Sequence, residues 1–138
     1  MLSLKQIFDL GIKLGMQADP RGPKGVKKYL DRAKREYEEM KPDDKKYFDQ
    51  EKLINPYDDC RIHAGDLKAP VKRVLAGIDV GPGEILLATQ LNERGKKIDA
   101  VIGHHPIGGS LATLHGVMDM IVEVYENLGV PVHIAERV

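Results

Sequence analysis

The sequence predicts an α/β protein in which a parallel-sheet βαβαβ core over residues 55–138 follows a helical N-terminal segment, residues 1–54. Three observations carry this. Short apolar runs after residue 70 ("VKRVLAGIDV", "IDAVIG", "VPVHIA") alternate with stretches of helical periodicity, the arrangement of strands joined by helical crossovers. The first 40 residues instead repeat apolar side chains only at three- and four-residue spacing. Gly- and Pro-rich steps separate the segments.

Taken in order, Ser3 and Gln6 stand at capping-box spacing, and Leu4, Ile7, Phe8 and Leu14 continue as one helical stripe. "GMQADPRGPKG" (15–25) breaks that pattern and reads as a loop. Val26, Tyr29, Leu30, Ala33, Tyr37 and Met40 define a second helix, its Lys/Arg/Glu face solvated, ended by Pro42-Asp43-Asp44. Residues up to Asp66 read as part loop, part short helix. The first core strand then runs to Asp79. Pro82 and Gly83 suit the second and third positions of a tight turn. "EILLATQLNERG" is a helix closed by Gly95. "IDAVIG" is a buried strand. A helix over 113–127 stops at Gly129, and "VPVHIA" is the third strand.

The composition narrows the function classes. The chain has 138 residues, enough for one domain with a real core. Its 21 Lys and Arg balance 21 Asp and Glu, so no bulk field draws nucleic acid or an anionic membrane. No apolar run approaches the ~20 residues of a membrane span, and the N-terminus lacks the features of a secretory signal. Cys60 is the single cysteine, which excludes an internal disulfide and suits the cytoplasm.

Binding groups of a parallel sheet gather at the carboxyl ends of its strands. Asp79 ends the first strand, His104 and His105 the second, and His133 with Glu136 the third. Three imidazoles and two carboxylates on one rim suit zinc, iron, manganese or nickel better than calcium. Neighbouring side chains on a strand face opposite ways, and Pro106 favours extended geometry at His105, so the pair is expected to splay. Splayed rings serve two ions roughly 3.5–4 Å apart, or one ion and one substrate. "IGGS" behind them leaves room for a ligand. The bland alternatives are turn-forming Asp79, a core His133, a solvated Glu136 and satisfied loop histidines. His115 and Asp119 stand four apart on a helix, a spacing that can chelate, although capping or surface roles fit their place at its start. His63 in "DDCRIHAGD" stays ambiguous. "DVGPGE" lacks the Lys-Ser/Thr of a phosphate loop and the third glycine of a dinucleotide fingerprint.

The combination "VLAGIDVGPGEILLATQL…KKIDAVIGHHPIGG", with the looser "NPYDDCRIHAGD" before it, resembles the NIF-three-like family, whose members are often identified as GTP cyclohydrolase I type 2 homologues. The resemblance covers roughly residues 55 to 138. It implies a cytoplasmic α/β protein, a ring-like homohexamer, and a centre of two divalent metal ions of unknown identity. It implies a metal-dependent hydrolase acting on a nucleotide or related ring; the alternative is a non-catalytic metal-binding, regulatory or interaction protein. Carried over, His104 and His105 match the family's histidine pair and are the expected metal ligands. "HIAE" stands where the family has a "HTNLD"-like segment, so Glu136 is the third expected ligand, one residue closer to its histidine than the family's acid. The family's late His and carboxylate have no counterpart, so a partial domain is expected; the helical stretch 16–54 is a second departure.

Overall fold

The computed structural model describes residues 1–137. It is a mixed α/β structure dominated by helix. The chain divides into two compact units, one of residues 1–11 and 60–112, the other of residues 12–59 and those from Thr113 onward.

The first unit holds both small sheets. β1 (Leu2–Ser3) pairs antiparallel with β2 (Pro70–Val71), Leu2 opposite Val71. The capping box then starts α1 (Leu4–Ala18): Ser3 N–H donates to Gln6 Oε1 at 2.8 Å, and Gln6 N–H donates to Ser3 Oγ at 3.2 Å. β3 (Val74–Gly77) and β4 (Ala100–Gly103) pair in parallel, with Val74 opposite Ala100 and Gly77 opposite Gly103. α4 (Pro82–Glu93) is the crossover between them. Its exit is sharp because Gly95, at φ +77°, donates to Asn92 O while Lys96 N–H reaches Leu91 O, both at 2.9 Å, a Schellman closure. The Asn92 side chain then grips both backbone groups of Ile98, and Asp99 Oδ2 accepts from the N–H groups of Lys72 and Arg73 at 2.9 and 2.8 Å. These bonds fix the register at the amino ends of both strands. They hold the exposed Asp99 carboxyl below its ordinary 3.8, the Arg73 and Lys72 amides being the main cause.

The second unit is helical. α2 (Gly22–Glu39) buries Val26 and Ala33 and half-buries Tyr29, Leu30 and Tyr37, the stripe expected of it. It stops where Met40 turns extended and Lys41 precedes Pro42. Short α3 (Pro42–Lys45) and a 3-10 turn (Gln50–Leu53) follow. α6 (Leu114–Asn127) ends in a second Schellman closure, Gly129 donating to Glu126 O and Val130 to Tyr125 O, both at 2.9 Å.

Three expectations change. The loop at 15–25 shrinks to residues 19–21. Gly15 stays helical and lets the Tyr57 ring approach to where a Cβ would meet it at 3.1 Å, and Pro23 falls in the first turn of α2, where its missing N–H has no helical partner to lose. Pro82 opens α4 rather than a tight turn, and Gly83 does not adopt a left-handed conformation. The third strand does not form: Val132–Ala135 is the short helix α7, entered from Pro131, whose missing N–H suits a helix start and not a sheet ladder. The parallel sheet of the described residues therefore has two strands, one βαβ unit in place of βαβαβ. Among the described residues no helix is long and apolar enough to cross a membrane.

Candidate metal centre at the carboxyl edge of the parallel sheet

Two glycines shape this edge. Gly77 and Gly103 lie opposite each other as the last pair of the ladder. A Cβ on Gly103 would stand 3.1 Å from Val80 Cγ2, and one on Gly77 3.1 Å from Asp79 O. Their bare backbones let the segment 78–80 fold back over the strand ends and bury Val80. The same fold sets Asp79 beside the end of β4. His104 N–H donates to the carbonyls of Gly77 and Ile78 at 3.0 and 3.1 Å, and His105 N–H to Ile78 O at 2.8 Å.

Two successive N–H groups aimed at one carbonyl mean that the chain has left the strand. The alternation that would splay the imidazoles has already ended at Gly103. The rings instead lie side by side, centroids 5.1 Å apart and planes 35° from parallel. His105 Nδ1 lies 2.8 Å from Asp79 Oδ1. With Nδ1 engaged by a carboxylate, Nε2 is the ring nitrogen left to a ligand, the orientation that outer-shell carboxylates give metal-binding histidines. Both members stay open to solvent, the His105 side chain 55% and that of Asp79 85% exposed.

The remaining expected residues belong to other elements. His133 is within α7 and Glu136 caps its C-terminus, both exposed and both in the other unit. They are not carried on a third strand end. His115 and Asp119 line a polar hollow in that unit together with Tyr29, Lys52 and Asp58. There the buried Asp58 carboxylate accepts from Lys52 Nζ at 2.8 Å. Among the described residues no three His, Cys, Asp or Glu side chains are gathered as a group able to hold a metal ion. The edge thus presents two imidazoles and one orienting carboxylate.

Sequence reasoning missed two features. His63 Nε2 lies 3.1 Å from Ser110 Oγ, tying the segment before β2 to the buried Ser110 of α5 (Gly108–Ala112), the helix that follows the histidine pair in the sequence. Nothing in the spacing of two residues 47 apart announces that bond. The second is Glu84, whose carboxylate folds back onto the start of α4 and accepts from Gly81 N–H at 2.8 Å. The Gly81 amide first, then its own, hold the Glu84 carboxyl below its ordinary 4.5. Glu three residues after a turn glycine was the available signal.

Beside the dyad, Val80, Gly81, Pro82, Ile85, Leu86 and Ile107 enclose an open apolar hollow of about 530 Å³. Compared with family models, with curated proteins and with solved structures, the chain gives no match.

Proposed function

We propose that the carboxyl edge of β3 and β4 binds divalent metal through His104 and His105, and that the protein is a metal-dependent hydrolase of a small ring-bearing molecule. The observation that supports this best is the 2.8 Å contact between Asp79 Oδ1 and His105 Nδ1, with the His104 ring alongside. Imidazole donors suit zinc, iron, manganese or nickel. Such an ion supplies Lewis acidity to water and to an electrophilic carbon. The chain's own part is to aim. Asp79 selects the His105 tautomer, the backbone bonds from residues 104 and 105 to Ile78 O hold the pair at the strand end, and Gly108 and Gly109 leave the approach free of side chains. Glu136 is the third ligand in this reading, and the two-ion centre and homohexamer implied by the resemblance belong to the same proposal.

A second reading has an observation in its favour. Both imidazoles are exposed and two donors make an open site, which suits a protein that binds metal for delivery or regulation without turnover.

Elemental analysis of wild type and the double variant His104→Ala/His105→Ala tests the common premise. Wild type is expected to retain metal and the variant to lose it; equal content in both defeats the assignment. Turnover of nucleotides and of unphosphorylated ring compounds with added metal then separates hydrolase from carrier.

A further inference from the structure

On one side, His104 and His105 are held by their backbone bonds to Gly77 O and Ile78 O. On the other, the chain runs through Pro106, Ile107, Gly108 and Gly109 into α5. Two successive glycines leave that stretch little stiffness of its own. Gly108 sits at φ +53°, and a Cβ on either glycine would meet nothing within 4 Å. The hold comes from Ser110. Its N–H donates to Ile107 O at 3.1 Å, closing a turn over both glycines, and its Oγ lies 3.1 Å from His63 Nε2. Only Pro106, with its fixed φ, then separates the closed turn from His105.

His63 belongs in turn to an anchored segment. Gly65 turns the chain at φ +116°, and the residues beyond it accept from the start of α1: Leu4 N–H donates to Ala69 O and Lys5 N–H to Leu67 O, both at 3.0 Å. A serine hydroxyl against an imidazole is also the geometry of a nucleophile and its base. Ser110 is only 1% exposed, out of a substrate's reach, so this bond holds and does not react.

We propose that His63 is a positioning residue for the histidine pair: through Ser110 it fixes the segment 106–110, and with it the place of the His105 ring. The effect on zinc rests on the reading of the sheet edge as a metal site; the effect on the segment does not.

His63→Leu and Ser110→Ala remove the bond, and His63→Gln is the conservative variant, since an amide bonds a hydroxyl in either sense. His63 is exposed and Ser110→Ala deletes one atom, so both positions tolerate the change. Amide hydrogen exchange on the metal-free full chain reads the segment. In His63→Leu and in Ser110→Ala the amides of Ser110 and Leu111, which bond to Ile107 O, are expected to exchange about tenfold faster, and those of β3 and β4 to exchange as in wild type. Zinc affinity is expected to fall by about tenfold in each, and no further in the double variant, because one bond is lost once. His63→Gln is expected to restore both readings. Unchanged exchange at residues 110 and 111, acceleration throughout β3 and β4, or His63→Gln behaving like His63→Leu would overturn the proposal. So would wild-type zinc affinity in a variant whose segment has loosened. A wild-type chain that binds no zinc would defeat the metal reading alone and leave the exchange rates to judge His63.

Discussion

At the scale of single residues, the contact between Asp79 and His105 is where geometry and chemistry meet. An exposed hydrogen bond of this kind adds little to stability, at most about 1 kcal/mol. Its effect is on which nitrogen of His105 faces outward. On the proposed metal reading, Asp79→Ala is therefore expected to leave the melting temperature near wild type while weakening zinc binding by about 10- to 100-fold, the usual cost of losing an outer-shell partner. Titration calorimetry reads the affinity, and nitrogen NMR of the imidazole reads the tautomer. Wild-type values in both would remove Asp79 from the site. Asp79, His104 and His105 were legible in the sequence because each ends an apolar run. That the two rings would lie together was not. It depends on the strand stopping one residue before His104, which bonds to Gly77 and Ile78 decide.

At the scale of elements, local chemistry was readable wherever it acts between near neighbours. The Ser3/Gln6 box, the glycine closures at 95 and 129 and the buried stripe of α2 all depend on residues within a turn or two of each other. The errors came where a distant partner decides. Gly15 reads as a helix breaker until Tyr57 is seen to occupy the space its missing Cβ leaves. "VPVHIA" is too short for periodicity to separate strand from helix, and among the described residues no strand pairs with it to arbitrate. The end of the parallel ladder makes this dependence testable. In Gly103→Ala the new methyl would press on Val80 Cβ and Cγ2, at 3.3 and 3.1 Å, and Val80 is buried with little room to yield. A loss of about 1–3 kcal/mol in urea unfolding is expected. Because Val80 adjoins Asp79, the proposed metal reading expects zinc affinity to fall as well. A variant that loses stability but binds zinc like wild type would show that the 78–80 fold does not position the dyad.

At the scale of the whole molecule, the few fully buried apolar side chains leave polar bonds a large share in each unit's integrity. The helical unit is pinned by one network. Arg21 grips Asp19 with two bonds of 3.0 and 2.8 Å, reaches Glu123 at 3.3 Å, and Tyr57 donates to Asp19 at 3.0 Å. The Asp19 and Arg21 side chains are 0% and 1% exposed. Burial alone would raise the Asp19 carboxyl; the bonds from Arg21 and Tyr57 and the charge of Arg21 outweigh it, and its pKa falls below 3.8. A depressed carboxyl contributes stability that is complete above its unfolded value and is lost as pH falls through the folded one. Asp19, Asp99 and Glu84 all have this sign. The protein should therefore hold full stability down to about pH 5 and lose it progressively below the ordinary carboxylate range. Arg21→Met isolates one contribution. It strands a buried carboxylate, which costs about 3–5 kcal/mol at pH 7. As pH falls, wild type loses what Arg21 secured while the variant's Asp19 becomes protonated and neutral, so the gap between them should narrow toward pH 3. Urea midpoints measured at pH 7, 5 and 3.5 decide the matter: a gap that stays constant or widens in acid would mean that Arg21 stabilises the unit by packing on Tyr29 and not by holding the charge of Asp19.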